Sequence, residues 1–490
     1  MRSWKSLLLL GVFISTAAVS NFVLGKKTDR SGQRLQRYFI EVPMRSPFDG
    51  RQLIGWLNRN GYDVAGSDWQ AGTIEVITDQ QGIDRLNQRG LRGSALQNFV
   101  GAGANAIDPR YLNPQKVEDL LKSLNARFPE FTRLERIGVS LQGRPIWALL
   151  ISSTPRADDP RALEKPAIIF DGLHHAREIM TPEIVMDVAP TLLNGFKAGV
   201  PGARQALLNW NVWIVPMLNV DGNSIVWGED AWWRKNARGA QSSIYGVDIN
   251  RNYPFKWNSC GGSSGSSGAQ DYRGESPGSE PETQALARLG QWVQPTASLS
   301  YHSYSELILY PYGCSSVLTG ENALIEKIAE EMATLLPRDR GRGNYATGTP
   351  WQILYSVDGD SMSYMHAEFG ALAYTFEVNQ NFQPPYELRE PTLQKHRKAW
   401  QYFLTRMDNN MLSIQVIDGK TGAPAVAALE FSNIPRTYGE KAFRTNAGGN
   451  HFKVLDPGRY NLRATLADGR RAEAVVEMNG RPQSLRVVVQ

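Results

Sequence analysis

Cysteine is almost missing from this chain: Cys260 and Cys314 are the only two among 490 residues, too few for a cysteine-rich disulfide or metal framework. An exported compartment permits a bridge between them, but the sequence alone does not decide the pairing, and a zinc role is the weaker reading of either. Long apolar runs are missing as well. The longest, Leu7 to Val19, falls short of the roughly 20 residues that a membrane-spanning helix needs, and no later segment qualifies, so no span is expected in the mature chain. Neither sign of charge dominates. The 53 basic and 48 acidic residues leave a net charge of +5, without the clustered basic tract or base-stacking motif that would point to nucleic acid as a partner. Histidine is scarce, with six in the chain, so any two of them in a chemical spacing carry information. No internal repeat is present.

What is there divides the chain into four. Arg2 and Lys5 precede the apolar run, and the small residues Ala18 and Ser20 stand at its end, before Asn21, the layout of a secretory signal peptide. Residues 1–25 are therefore expected to be a leader and the protein secreted or periplasmic. Residues 26–106 read as a small α+β unit: strand patterns at Arg37 to Val42 and Thr73 to Ile77, helical stretches around Gln52 to Asn60 and Ile83 to Arg89, then the small-residue linker Gly101-Ala102-Gly103-Ala104-Asn105-Ala106. Linkers of that kind are where proteolytic nicking concentrates; a cleavable prosegment is expected, an ordinary hinge being the alternative. From 107 to 408 helical patterns (Val117 to Phe128, Ala323 to Leu336) alternate with apolar strands (Ile146 to Ile151, Val212 to Pro216, Ala297 to Ser300, Ala371 to Glu377), the signature of an α/β sheet flanked by helices. Residues 409–490 change to short alternating strands separated by Asp418-Gly419, Pro457-Gly458, Asp468-Gly469 and Asn479-Gly480, and are expected to form a small β-sandwich.

The chemistry concentrates at His175-Ala176-Arg177-Glu178. A histidine and a glutamate three residues apart can hold one zinc ion and leave coordination positions open. A hydrolytic zinc needs a third protein donor and an exchangeable water, which points to His302 in Ser300-Tyr301-His302-Ser303-Tyr304. The motif follows the apolar run Ala167 to Phe170 and precedes Thr181-Pro182-Glu183, where threonine suits a helix cap and proline the first turn. The ligands thus sit on a strand-to-helix loop, where open α/β sheets place their sites. A Gly-x-Ser-x-Gly pattern at Gly261 to Gly265 lacks the strand before it and helix after it that a nucleophilic serine needs, and reads as a flexible loop.

Together with Gly138 to Trp147, Trp233-Arg234-Lys235, Gly246 to Asn252, His302 to Leu307, Tyr310 to Gly313 and Thr375-Phe376-Glu377, these residues resemble the zinc carboxypeptidases of the A and B type over roughly Asp108 to Met407, and within them most closely the secreted bacterial carboxypeptidase T form. The resemblance implies one Zn2+ held by His175, Glu178 and His302, with Asp248 orienting His175. It implies Glu377 as the general base, Arg234 as the cation beside the developing oxyanion, and Arg251, aided by Asn250 and Tyr355, as the anchor of the substrate's terminal carboxylate. Arg177 matches an arginine lining the substrate approach, a salt bridge holding the zinc loop being the equal alternative. Met362 takes the position of the specificity-pocket floor, which favours apolar C-terminal residues, while Asp360 two residues earlier admits a mixed preference that includes basic ones. Ile179, Val220 and Tyr364 depart from the pattern and bear on packing near the site.

The function so implied is cleavage of single residues from peptides or proteins with a free C-terminus, by an enzyme made as a zymogen and released by an activating protease. The other readings are a peptidase of the same fold acting on cell-wall stem peptides, and a catalytically silent zinc or peptide-binding module. The tail resembles the transthyretin-like sandwich that follows some carboxypeptidase domains.

Overall fold

The computed structural model describes residues 36–42, 47–69, 71–96, 107–240 and 243–490; the expected leader and the linker 101–106 lie outside them. Among the described residues an eight-stranded mixed sheet organises the chain between 107 and 408. Its strands run in the order Ala346–Gly348, Leu307–Leu309, Leu372–Glu377, Ala297–His302, Ala167–Gly172, Asn211–Val215, Pro145–Ile151, Thr132–Val139. The four central strands are parallel to one another. Ala167–Gly172 and Ala297–His302 are buried at every position, as strands covered by helices on both faces must be. Helices including Thr181–Lys197, Pro281–Val293, Ser361–Phe369 and Arg389–Asn409 supply that cover, and one hydrophobic core links them to the sheet.

Register places the chemistry. His302 is paired with Glu377 across the neighbouring parallel strands Ala297–His302 and Leu372–Glu377, so both side chains leave the sheet at its carboxyl edge, beside the loop that follows Ala167–Gly172. That loop turns sharply at Leu173, a non-glycine residue with φ of 58°. The threonine expected as a cap instead begins the helix Thr181–Lys197, whose cap residue Met180 makes no side-chain cap bond. Thr181 Oγ1 accepts from Leu173 N at 3.0 Å and donates to Glu178 O at 2.8 Å, tying together the two ends of the metal loop.

Two further units pack on this body. Residues 36–96 form a four-stranded sheet in the order Asp63–Asp68, Thr73–Thr78, Gln36–Glu41, Gly93–Leu96, with helices Pro47–Arg59 and Gln80–Gln88 and a core of its own that includes Tyr38, Ile40, Leu57, Ile74, Val76 and Leu86. After helix Arg389–Asn409 the chain enters two small sheets, Asn450–Val454 with Met411–Asp418 and Gln483–Val489, and Phe443–Arg444 with Ala427–Phe431, Gly458–Leu466 and Arg471–Met478. They enclose a separate core containing Leu412, Ile414, Leu429, Leu462 and Val487. No helix among the described residues is long and apolar enough to cross a membrane.

Candidate active site and metal centre

His175, Glu178 and His302 come together although 127 residues separate the two histidines. All three are buried, and one ligand atom from each lies within 4.8 Å of the others. His175 Nδ1 is 2.6 Å from Glu178 Oε1, His302 Nδ1 is 3.3 Å from Glu178 Oε2, and the two Nδ1 atoms are 3.2 Å apart.

The outer nitrogens fix the tautomers. His175 Nε2 faces Asp248 Oδ1 at 3.2 Å, and His302 Nε2 faces Ser300 Oγ at 3.2 Å. With each Nε2–H spent on its oxygen, both Nδ1 lone pairs turn inward. Two inward lone pairs and a carboxylate oxygen, Glu178 Oε2, that is buried without a hydrogen-bond partner would repel one another; a divalent cation satisfies all three. The electrostatics agree: burial pushes His302 down, so it stays a neutral donor. Burial would raise Glu178, but His175 and His302 outweigh it and hold the carboxyl well below the usual carboxylate range. The residues fit zinc of the hydrolytic kind, with three protein donors and an open side.

Asp248 does double duty. Besides His175 it accepts from Arg234 Nε at 3.2 Å and Nη2 at 2.9 Å. Its burial works against ionisation, but Arg234 and His175 keep it charged, far below its ordinary value. Behind His302, Ser300 Oγ donates to Asp171 Oδ1 at 2.6 Å; burial pushes Asp171 up to about 7, with the Ser300 hydroxyl opposing. Sequence reasoning missed this second support, although Ser300 stands two residues before His302 on a strand and so shares its face. The backbone of the metal loop is held by Asn219 Nδ2 to His174 O and Asn223 Nδ2 to Ala176 O, each at 2.9 Å, and by Ala176 N to Arg234 O at 2.8 Å.

One cavity joins two of the metal ligands, His175 and Glu178, to the other expected residues. Arg234, Asn250, Arg251, Tyr355, Asp360, Met362 and Glu377 line it with His175 and Glu178. Glu377 is raised well above the ordinary glutamate value, by its burial first and by the Glu178 charge second, against the pull of Arg234 and Arg251. Arg251 Nε donates to Gly262 O at 3.2 Å and Nη1 to Asn250 O at 2.9 Å, which sets the plane of its guanidinium. Asn250 Oδ1 accepts from Ser361 N at 2.9 Å. The loop Tyr355 to Asp360 passes so close to Arg251 that a Cβ on Gly359, with φ of +67°, would lie 2.4 Å from Arg251 O, so only glycine fits there. Asp360 caps helix Ser361–Phe369 through Oδ1, which accepts from Ser363 N at 2.8 Å, while its buried Oδ2 has no hydrogen-bond partner. Met362 is 4% exposed.

The exceptions are as informative. Arg177, expected along the substrate approach, does not line the cavity: both Nη atoms reach Asp63 of the N-terminal unit, Nη2 at 2.9 Å from Oδ1, and the guanidinium lies 4.0 Å over the Phe382 ring. A facing carboxylate inside a buried interface captures it, so the salt bridge is the better description here, made to another unit and not within the zinc loop. Val64 and Ala65 of the same strand complete the cavity wall. Tyr304 OH donates to Glu75 Oε1 at 2.6 Å, with Arg37 4.8 Å over its ring; Tyr304 and Phe382, lining residues that sequence reasoning did not single out, thus also face the N-terminal unit. Ser263 of the Gly-x-Ser-x-Gly stretch donates to Asp358. Cys260 and Cys314 are joined, with Cα atoms 5.7 Å apart.

The sequence model of one family, described as zinc carboxypeptidase, matches residues 117–399. Among curated proteins the chain is 30% identical over 388 residues to "Metallocarboxypeptidase A" of Trichophyton tonsurans, covering 74% of this chain and 88% of that protein. It is 28% identical over 410 residues to "Zinc carboxypeptidase" of Saccharothrix mutabilis subsp. capreolus, covering 76% and 89%. It is 27% identical over 288 residues to "Carboxypeptidase O" of Bos taurus, covering 58% and 74%. Among solved structures the carboxypeptidase A of Helicoverpa armigera superposes with a TM-score of 0.64 at 23% identity, over 76% of this chain and 96% of that one, a likeness of fold.

Proposed function

We propose that this chain, which belongs to the zinc carboxypeptidase family, is an exported enzyme that removes single residues from the free C-termini of peptides or proteins, and that the N-terminal unit must be released before it acts. It is a zinc-dependent hydrolase. The single observation that carries the finer reading is the cavity that His175 and Glu178 of the metal group line together with Glu377, Arg234 and Arg251.

Held by His175, Glu178 and His302, zinc would supply Lewis acidity for the scissile carbonyl and for a water near neutral pH. Glu377 takes the proton of that water and hands it to the departing amine. Arg234, fixed by Asp248, stands where a cation lowers the energy of the developing oxyanion. Arg251 offers the substrate's terminal carboxylate a planar fork, with Asn250 and Tyr355 beside it. Asp248 and Ser300 act through the histidines they orient. The closer likeness to carboxypeptidase T rests on Asp360, and the transthyretin-like character of residues 409–490 on their paired small sheets.

The N-terminal unit, taken as a prosegment spanning 26–106, contributes Val64 and Ala65 to the cavity wall. Cleavage of the folded chain near 101–106 by an activating protease is expected to raise kcat/KM at least 100-fold on small peptides, because the covered site cannot admit a C-terminus. The processed enzyme is expected to ignore the same peptides when C-terminally amidated. Equal cleavage of both forms would make it an endopeptidase and sink the exopeptidase assignment. Purified cell-wall stem peptides in the same assay separate the alternative substrate class, and complete inactivity after processing would favour the silent binding module.

For the residue removed, Met362 and the buried Asp360 Oδ2 argue for a mixed pocket: the flexible thioether packs apolar side chains, and the unpaired carboxylate oxygen can receive a Lys or Arg head. Asp360→Asn keeps the helix cap but removes the charge. It is expected to lower kcat/KM for Lys and Arg ends by roughly 10–100-fold, the worth of about 1.5–3 kcal/mol for a hydrogen bond to a charged group, and to change Leu or Phe ends by less than about threefold. A parallel loss across all residues would show that Asp360 shapes the pocket without reading charge.

A further inference from the structure

The loop 432–442 of the C-terminal unit leaves its own sheets and lies along the 107–408 body. Thr437 Oγ1 donates to Leu318 O at 2.7 Å, Ser315 Oγ donates to Tyr438 OH at 3.0 Å, and Lys441 N donates to Ala367 O at 2.8 Å, with Lys441 Nζ paired to Glu368. Glu440 is its centre. Oε2 accepts from Tyr438 N at 2.8 Å; Oε1 accepts from the phenol of Tyr312 and lies 3.1 Å from Thr437 Oγ1. Tyr312 is fully buried, and its ring stands 5.2 Å from Tyr438 and 5.5 Å from Phe255.

These grips close on the two sides of the cavity that holds Asp360 and Met362. On one side, Tyr312 precedes Gly313, whose N donates to Ser363 Oγ at 3.2 Å and whose O accepts from Val357 N at 3.0 Å. A Cβ on Gly313 would lie 3.2 Å from Asp360 Oδ2, so a shift of this segment moves directly onto that carboxylate. The Cys260–Cys314 bond continues the same segment into the loop whose Gly262 O receives Arg251 Nε. On the other side, Lys441 holds the last turn of helix Ser361–Phe369, whose first turn bears Met362 and whose cap is Asp360.

We propose that the loop 432–442 is a positioning element for the pocket that receives the substrate's last side chain, and that Glu440 locks that pocket through Tyr312. The C-terminal unit then acts on substrate selection while contributing no group to the chemistry. The inference rests on the carboxypeptidase reading above. The lock holds at working pH: burial would raise Glu440, but hydrogen bonds from Tyr312 and from backbone N–H groups hold it at about 2, so it is an ionised acceptor throughout.

The test compares the whole chain with Glu440→Ala, Glu440→Gln and Tyr312→Phe, each purified folded and then processed near 101–106. Kinetics are read on peptides that differ only in the last residue, with zinc content and melting temperature measured alongside. Glu440→Ala and Tyr312→Phe are expected to raise KM by about 5–20-fold for the best substrate and to compress the preference between best and worst residues, with kcat within about twofold, the pattern of lost substrate positioning. Zinc content stays constant, and Glu440→Gln, which still accepts from Tyr312, recovers most of the preference. Tyr312→Phe removes one hydroxyl and keeps the ring, so it reports even if Glu440→Ala fails to fold. Unaltered KM and preference with only a lower melting temperature would reduce the loop to a structural prop, and a fall in kcat at constant KM would equally overturn the proposal. A processed wild type that cleaves none of the peptides would fell the carboxypeptidase reading and this one with it, whereas variants that discriminate as the wild type does would fell this one alone.

Discussion

Glu377→Gln is expected to lower kcat by about 10²–10⁴, the usual worth of a positioned general acid–base group, with zinc content and KM nearly unchanged. The substitution keeps shape and most hydrogen bonding but cannot accept the proton of the attacking water. Its side chain stands in register with His302, so the amide is held where the carboxylate was and metal binding has no reason to suffer. A pH profile adds a sign. Burial and the Glu178 charge push the Glu377 carboxyl up, and the base works only when ionised. The acid limb of kcat/KM therefore falls as pH drops through the Glu377 value, above the range of an exposed glutamate, and that limb is absent from the residual activity of the variant. Retained activity with zinc bound would remove Glu377 from the mechanism.

Arg251→Ala is expected to cost roughly 10²–10³-fold in kcat/KM on peptides with a free C-terminus, since two charge-assisted hydrogen bonds are worth about 3–4 kcal/mol together. Lysine recovers only part of this, because a point charge does not reproduce the planar fork, which Gly262 O and Asn250 O hold in orientation. The diagnostic is discrimination: the wild type is expected to reject amidated peptides, and the variant to treat free and amidated ends as equally poor. A variant that still prefers the free end would place carboxylate recognition on another group.

The centre of the sheet was legible because its strands are buried on both sides and read as apolar runs, whereas the half-exposed edge strand Thr132–Val139 was not. Ala167–Gly172 and Ala297–His302 begin where the sequence reading starts them, and the four expected strands differ from the observed ones by two residues or fewer at either end. The metal group was legible because His175 and Glu178 are local neighbours and histidine is scarce; only His302 needed the fold to arrive. What escaped depends on long-range pairing that no local spacing encodes. Arg177 meets Asp63 across 114 residues, Tyr304 meets Glu75 across 229, and Tyr312 meets Glu440 across 128. Each joins the central body to a flanking unit, so each depends on how separately cored units dock. The Thr181 cap failed for a local reason: the helix starts one residue earlier than a Thr181 cap would have it, with Met180 at the cap position, and Thr181 Oγ1 is committed to the metal loop.

The central claim is one zinc shared by His175, Glu178 and His302 in an exopeptidase. It is tested most directly by adding zinc back to processed, chelator-stripped protein while following release of the last residue from a peptide with a free C-terminus. Activity is predicted to be absent at the start, to rise in proportion to zinc and to level off at one ion per chain; a His302→Ala chain should bind zinc far more weakly and stay inactive. Full activity in the stripped protein, or a plateau unaffected by loss of His302, would contradict the account.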